Sequence, residues 1–246
     1  MNKKILILGA TSSIAKHTAA TYASDGCRLF LASRDPIELQ RQAADLNIRY
    51  KAEVHTGVFN IEEIEAHEAF FTSVIRKMGG LDGVVLASGD VGDPSKSKFD
   101  PAEGLKVIHR NFSGACSILT LAANYLEAQK QGFIVGVSSI SGDIPRRSNY
   151  VYGAAKGGLT LLLQGMRRRL HPSGVRVITI KPGFVDTPMI YGMPNVFWVA
   201  SPEAVGKKIA YSAFGCRDVV YLPGFWKWIV YGFRLIPEWI FKRLKY

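Results

Sequence analysis

Short apolar runs, each followed by a longer stretch of helical patterning, constrain this 246-residue chain more than any other feature. Residues 5–8, 28–32, 54–58, 83–87, 133–137 and 175–180 are rich in Val, Ile and Leu and of strand length. Their hydrophobicity is continuous rather than alternating, which is the pattern of strands buried on both faces of a parallel sheet. Residues 218–222 form a candidate seventh strand. Helical patterns fill the intervals at about 13–25, 36–47, 62–78, 101–131, 150–170 and 202–214. Strand, helix, strand repeated in this way predicts a doubly wound α/β fold with right-handed crossovers. The length suits one well-buried core and is short for two.

Composition excludes some classes. Hydrophobic residues make up 48% and charged residues 21%, so the chain is not a disordered one. Lys and Arg total 31 against 20 Asp and Glu, a formal net charge of +11 that calls for an acidic partner or surface. Nucleic acid is not expected, because no recognition motif is present. Arg167, Arg168 and Arg169 read instead as cations at a helix C-terminus, where they are favourable. Cys27, Cys116 and Cys216 are scattered and fit neither a disulfide framework nor a zinc site, as in a reducing compartment. The five histidines lack ligand spacing, so no metal is expected. No uncharged apolar run reaches spanning length, and a conventional transmembrane helix is not expected. The charged start before residues 5–8 imitates a signal peptide, but the apolar run is too short and reads as the first strand.

The junction Gly9-Ala-Thr11-Ser12-Ser13-Ile14-Ala15 follows the first strand and opens the first helix. Small residues there permit a tight turn, and backbone N–H groups at a helix N-terminus suit a pyrophosphate. The alternative is an ordinary turn with a capping serine. The second strand ends Ser33-Arg34-Asp35, where a doubly wound site meets the adenosine ribose. Arg34 suits a 2′-phosphate and favours NADP(H), with NAD(H) the alternative. Asp35, followed by Pro36, reads as a helix cap.

Tyr152 and Lys156, one helical turn apart, lie on one helix face. An ammonium beside a phenol favours phenolate and is expected to lower the Tyr pKa. Alone, the pair also fits a surface helix. Ser139 lies thirteen residues earlier, at the end of a strand. With the glycine loop in front, Leu86-Ala-Ser88-Gly89 after the fourth strand, Asn111 in a helix and Pro182-Gly183 after the sixth strand, the chain resembles the short-chain dehydrogenase/reductase family over about residues 3–222. The resemblance implies a Rossmann-type α/β domain and a catalytic set of Asn111, Ser139, Tyr152 and Lys156.

It further implies that Gly9, Thr11, Ser12, Ser13, Ile14, Ser33, Arg34, Ser88, Gly89, Pro182 and Gly183 bind the cofactor. Val185 and Thr187 would hold the nicotinamide carboxamide. Asn60, followed by Ile61, stands where many members have an Asp facing the adenine amine. By the same resemblance Tyr152 gives a proton to the developing alkoxide, Lys156 lowers its pKa and holds ribose hydroxyls, Ser139 holds the carbonyl oxygen, and Asn111 positions Lys156 through a water. The chain departs from the family pattern at Ser13 and Ala15, where glycines are usual, and at the stretch before Gly89, where an Asn pair is usual. Members commonly associate through the helices bearing Asn111 and Tyr152, so a homo-dimer or tetramer is expected.

Residues 223–246 differ from the rest. Trp226, Trp228 and Trp239 are interleaved with Lys227, Arg234, Lys242, Arg243 and Lys245, against one acid, Glu238. Pro237 is expected to split the segment. This is the make-up of an interfacial helix lying on an anionic bilayer; a lid over the substrate cleft and an oligomer contact are the alternatives. It resembles the ends of bacterial family members that act on a lipid-linked sugar ketone. Residues 189–199, with Tyr191, Met193, Phe197 and Trp198, occupy the place of the family's substrate lid, and Gly192 and Pro194 mark them as a loop. The expectation is an NADPH-dependent reductase of a lipophilic or lipid-linked ketone, cytoplasmic and peripheral on the inner face of the membrane. A regulatory NADP(H)-binding module without turnover is the alternative from another class.

Overall fold

The computed structural model describes residues 2–144, 146–192 and 196–243. Met193, Pro194 and Lys245 therefore lie outside the described residues. Seven parallel strands form one sheet: β1 (Lys4–Leu8), β2 (Arg28–Ser33), β3 (Val54–Val58), β4 (Gly83–Leu86), β5 (Phe133–Val137), β6 (Arg176–Pro182) and β7 (Val219–Leu222). Their order is β3-β2-β1-β4-β5-β6-β7, with Leu6 paired to Phe30 on one side and Val84 on the other. The order reverses between β1 and β4, and ligands of such sheets bind in the crevice beyond the strand ends at that point.

Helices cover both faces. Alternate residues of one strand enter opposite cores: Ile5 and Ile7 pack with Ala15, Ala19 and Ile209, whereas Leu6 and Leu8 pack with Ile118, Leu119 and Leu163. This two-sided burial is why the strands read as unbroken apolar runs. The first face carries α1 (Ser13–Ser24), α2 (Pro36–Tyr50) and α8 (Pro202–Ser212); the second carries α3 (His67–Met78), α6 (Gly114–Gln129) and α7 (Tyr150–Leu170). Asp35 caps α2, its carboxylate accepting from the N–H groups of Ile37 and Glu38 at 3.0 Å. This is the cap expected from the Asp-Pro pair.

Three helical boundaries differ from the sequence reading. The segment at 62–78 begins with a 3₁₀ turn, Ile64–Ala66, and α3 starts only at His67. A short helix, α4 (Pro94–Ser97), is capped by Asp93. The long helix expected at 101–131 is broken: α5 (Pro101–Ile108) passes through a π-helical turn, His109–Ser113, into α6. Single π turns within helices re-aim side chains, and this one contains Asn111. After β7 come α9 (Trp226–Arg234) and α10 (Glu238–Phe241), split at Pro237 as expected. No helix among the described residues is long and apolar enough to cross a membrane.

Candidate active site

The crevice is built first from two glycines. Gly9, directly after β1, has φ +76°, and a Cβ there would lie 2.7 Å from the backbone nitrogen of Ser88. Gly89 has φ +140°, and its Cβ would meet Asn111 Oδ1 at 2.5 Å and Lys156 Nζ at 2.8 Å. Both positions exclude any side chain. The loop is pinned to β2 by the N–H groups of Gly9 and Ala10, which donate to Ala32 O at 2.8 and 3.0 Å. Ser12 caps α1, its hydroxyl accepting from Ala15 N at 3.3 Å. Thus the capping serine and the tight turn coexist.

Above these glycines open two adjoining lobes of about 600 and 350 Å³, which share Thr11, Ser12, Ser88 and Gly89 as a common wall. The larger lobe lies over the ends of β1 and β2 and is lined by Gly9, Ser33, Arg34, Phe59 and Ile61. Two further residues, Glu62 and Arg110, enter it without having been singled out from sequence. Arg110 Nε stands 3.0 Å from Glu62 Oε2, and Arg34 Nη1 stands 3.8 Å from the same oxygen. Glu62 thus bridges two guanidinium groups. A fit to the adenosine half of a dinucleotide follows from the shape, from the glycine approach and from these cations.

Asn60 is not among the residues lining this lobe. Its Oδ1 accepts from Glu62 N at 3.2 Å, and its Nδ2 donates to Glu63 Oε1 at 3.0 Å. Local hydrogen bonding of this kind starts the 3₁₀ turn and turns Asn60 into a neighbouring hollow with His67 and Phe70. This hollow adjoins the larger lobe, with which it shares Arg34 and Phe59.

The smaller lobe gathers the rest of the predicted set except Asn111: Ser13, Ile14, Ser139, Tyr152, Lys156, Pro182, Gly183, Val185 and Thr187. Tyr152 and Lys156 project from the first turns of α7, and the ammonium lies 5.8 Å from the phenol ring centroid. Lys156 is 4% exposed, and its Nζ donates to Val137 O at 3.1 Å. Ser139 lies two residues past the end of β5 and lines the lobe with Tyr152; its oxygen accepts from Ser141 N at 3.1 Å. The neighbouring Ser138 hydroxyl is engaged by the helix backbone, donating to Lys156 O at 2.9 Å.

Asn111 stands behind Gly89 rather than in the lobe. Its Nδ2 donates to Asp90 O at 2.7 Å and Val107 O at 2.9 Å, while its Oδ1 is buried without a hydrogen-bond partner among the described residues. A buried acceptor left open in this way is costly unless water or a ligand fills it.

Burial dominates the electrostatics. It pushes the Tyr152 phenol up to about 12, with the Ser139 hydroxyl opposing and Asp90 assisting. It pushes the Lys156 ammonium down to about 8, against the attraction of Asp90. The lowered phenol pKa expected from the Lys156 pairing is thus not found in the free protein. Desolvation of the ring outweighs an ammonium 5.8 Å from its centroid.

Behind this lobe lies an aromatic cluster that reaches its lining through Phe184. Phe184, Phe197, Trp198 and Trp226 stack edge to face with centroids 5.1–6.1 Å apart. Trp226 of α9 is 1% exposed and lies under Gly183, where a Cβ would fall 2.0 Å from its ring nitrogen. The segment after 222, expected as a tail, therefore packs one face of α9 behind Gly183 and Phe184 of the lobe. Two of the three arginines 167–169 are engaged within the fold: Arg167 donates to Val177 O at 2.7 Å, and Arg169 pairs with Glu127.

Comparison with known proteins agrees with this geometry. A family model described as short chain dehydrogenase matches residues 3–194. An uncharacterized oxidoreductase of Mycobacterium tuberculosis strain H37Rv is 32% identical over 240 residues, covering 98% of this chain and 96% of its own. One of Streptomyces coelicolor is 31% identical over 245 residues, with the same coverage of 98% and 96%. Among solved structures, levodione reductase superposes with a TM-score of 0.83 at 24% identity, over 91% of this chain and 97% of its own. An actinorhodin polyketide ketoreductase with NADPH gives 0.81 at 20% identity, also over 91% and 97%. At those identities the two structures bear on the fold alone.

Proposed function

The chain belongs to the short-chain dehydrogenase/reductase family of NAD(P)-dependent oxidoreductases, and on that premise we propose that it reduces the carbonyl of a lipophilic or lipid-linked ketone, a sugar ketone included, with NADPH. One observation carries the reading: Ser139, Tyr152 and Lys156 face one lobe whose other wall is the glycine loop. NADPH, when bound, supplies the hydride. Residues lining the larger lobe would hold its adenosine half, and Val185 and Thr187 its carboxamide end. Arg34, with Arg110 beside it, supports a 2′-phosphate.

The protein's own groups account for the proton. With burial holding its phenol near 12, Tyr152 is protonated at neutral pH and is a donor to an oxygen that gains charge. Ser139 donates a hydrogen bond to the same oxygen, which is stabilisation placed where charge develops. Lys156, charged below about pH 8, favours the phenolate left behind and is placed to hold ribose hydroxyls. The open Oδ1 of Asn111 suits a water that relays a proton toward Lys156.

Substrate class rests on the surroundings. The catalytic lobe is lined by Val91, Ile140, Phe184, Met189 and Ile190, with Arg146 the one cation besides Lys156 and no acid among the described lining residues. Trp228, Leu235 and Trp239 leave their side chains exposed on the outer side of α9 and α10. Together with Lys227 and Lys242 they support docking on an anionic bilayer. Packing on the domain and docking on a membrane are compatible for this segment, because they use opposite faces of α9. Leu105 and Leu161, exposed on the helices near Asn111 and Tyr152, support self-association there.

The test is NADPH oxidation against a graded series of apolar ketones, with Tyr152→Phe as control. Turnover that rises with chain length and vanishes in the variant is expected; turnover in Tyr152→Phe equal to wild type refutes the mechanism. Co-sedimentation with anionic and neutral vesicles tests the surface, using Trp228→Ser with Trp239→Ser. Wild-type protein that stays in solution with anionic vesicles removes the membrane reading.

A further inference from the structure

One buried carboxylate joins the catalytic serine to the C-terminal helix. Asp143 follows the 3₁₀ turn Ile140–Gly142 and lies only four residues after Ser139. Its side chain is 1% exposed. Three donors from distant parts of the chain converge on it. Lys181 Nζ, at the end of β6, donates at 2.7 and 2.8 Å. The Tyr221 hydroxyl of β7 donates at 3.0 Å. Arg234 Nη2, at the end of α9, donates at 2.8 Å.

The turn held by this carboxylate is clamped from the other side by the catalytic helix. A Cβ on Gly142 would lie 2.7 Å from the Lys156 carbonyl carbon and 2.8 Å from Gly157 N. The turn is therefore wedged between α7, which carries Tyr152 and Lys156, and the Asp143 cluster. The Ser139 oxygen is set by the same turn, because it accepts from Ser141 N. A shift at Asp143 has no slack to absorb it before reaching Ser139.

We propose that Asp143 and Arg234 are positioning residues for the reaction. The C-terminal helix, through the Arg234–Asp143 pair, sets the turn that aims Ser139 at the substrate oxygen. Arg234 never touches the reacting atoms. Lys181 and Tyr221 hold the carboxylate from the sheet, on β6 and β7; among the described residues Arg234 is the one donor that ties it to α9. The inference rests on the reductase reading for Ser139, but its structural half is independent of turnover.

Arg234→Gln tests it in the full-length protein, because Arg234 is half exposed and its loss leaves the apolar packing of α9 on Trp226 and Val230 intact. Two readouts are used. Backbone hydrogen exchange over 138–144 is expected to speed up about ten-fold, with the α1 peptide 13–24 unchanged. With 9,10-phenanthrenequinone as an apolar dicarbonyl probe, kcat is expected to fall about ten-fold and the KM for NADPH to stay constant. Arg234→Lys should recover at least about half of both, since the ion pair uses a single nitrogen.

Unchanged exchange over 138–144 overturns the proposal, as does acceleration spread evenly over the sheet, or a lysine variant no better than glutamine. If wild-type protein does not turn over the probe, the exchange result alone decides the coupling, and the failure belongs to the reductase reading.

Discussion

Replacing Lys156 by Met should make the free protein more stable while abolishing its activity. Burial depresses this ammonium from the ordinary lysine value to about 8. A difference of that size, from about 10.5 to about 8, amounts to about 3 kcal/mol spent below pH 8 on keeping the amine charged. Met fills a similar volume without charge. It forfeits the Nζ hydrogen bond to Val137 O, worth about 1 kcal/mol. The net gain at pH 7 is about 2 kcal/mol, or a rise of roughly 4–8 °C in Tm for a chain of this size. The sign with pH follows from proton binding. Between about pH 8 and 10.5 the unfolded chain holds this proton and the native state does not, so wild-type stability climbs with pH across that window. The advantage of Met should shrink over the same range and reverse by about 1 kcal/mol above it. Urea midpoints of wild type and variant at pH 7, 9 and 10.5 measure this. A variant less stable at pH 7, or a difference independent of pH, would refute the reasoning that Lys156 is a desolvated cation held for function.

The same group should shape kinetics. In the reduction direction kcat/KM is expected to fall above about pH 8 as Lys156 loses its charge, with no phenol titration below about pH 11, because Tyr152 is held near 12. A pH profile flat from 6 to 10 would contradict it. Tyr152→Phe should lower kcat about 10²–10⁴-fold while binding NADPH normally by fluorescence titration. Arg34→Ala should weaken NADPH binding about ten- to a hundred-fold and leave NADH binding nearly unchanged, since a charge-assisted bond to phosphate is worth about 1.5–3 kcal/mol; an equal loss for both cofactors would assign Arg34 elsewhere. Gly183→Ala should destabilise by about 1–3 kcal/mol and shift tryptophan emission, because its methyl falls on the Trp226 ring. Unchanged emission would mean that α9 does not pack there in solution.

How far the sequence speaks depends on the distance over which each feature is determined. The sheet was legible because its strands are buried on both faces, so Ile5 to Leu8 needed no partner to be read as a strand. Tyr152 and Lys156 were legible because one helical turn places them together. The cap at Asp35 was legible for the same local reason. Glu62 and Arg110 were not, since they meet across a separation that no periodicity reports. The local bonds of Asn60 to Glu62 and Glu63 were not legible either, because an Asn amide can pair with neighbours or reach a ligand from the same sequence position.

The tail shows the limit most sharply. Composition treats Trp226 and Trp228 alike, yet one is 1% and the other 70% exposed. Spacing separates them: Trp226, Val230 and Phe233 recur at helical intervals and form the inner face, while Trp228, Tyr231 and Leu235 fall on the other side. A segment read as one aromatic and basic surface thus carries two faces, one packed behind Gly183 and Phe184 and one exposed. Because Pro237 ends α9 three residues past Arg234, the inner face is kept short, and its last residue is the one that reaches Asp143. The aromatic density of this segment therefore lies only in part on its outer surface; the remainder forms a core that packs behind Phe184 and Gly183.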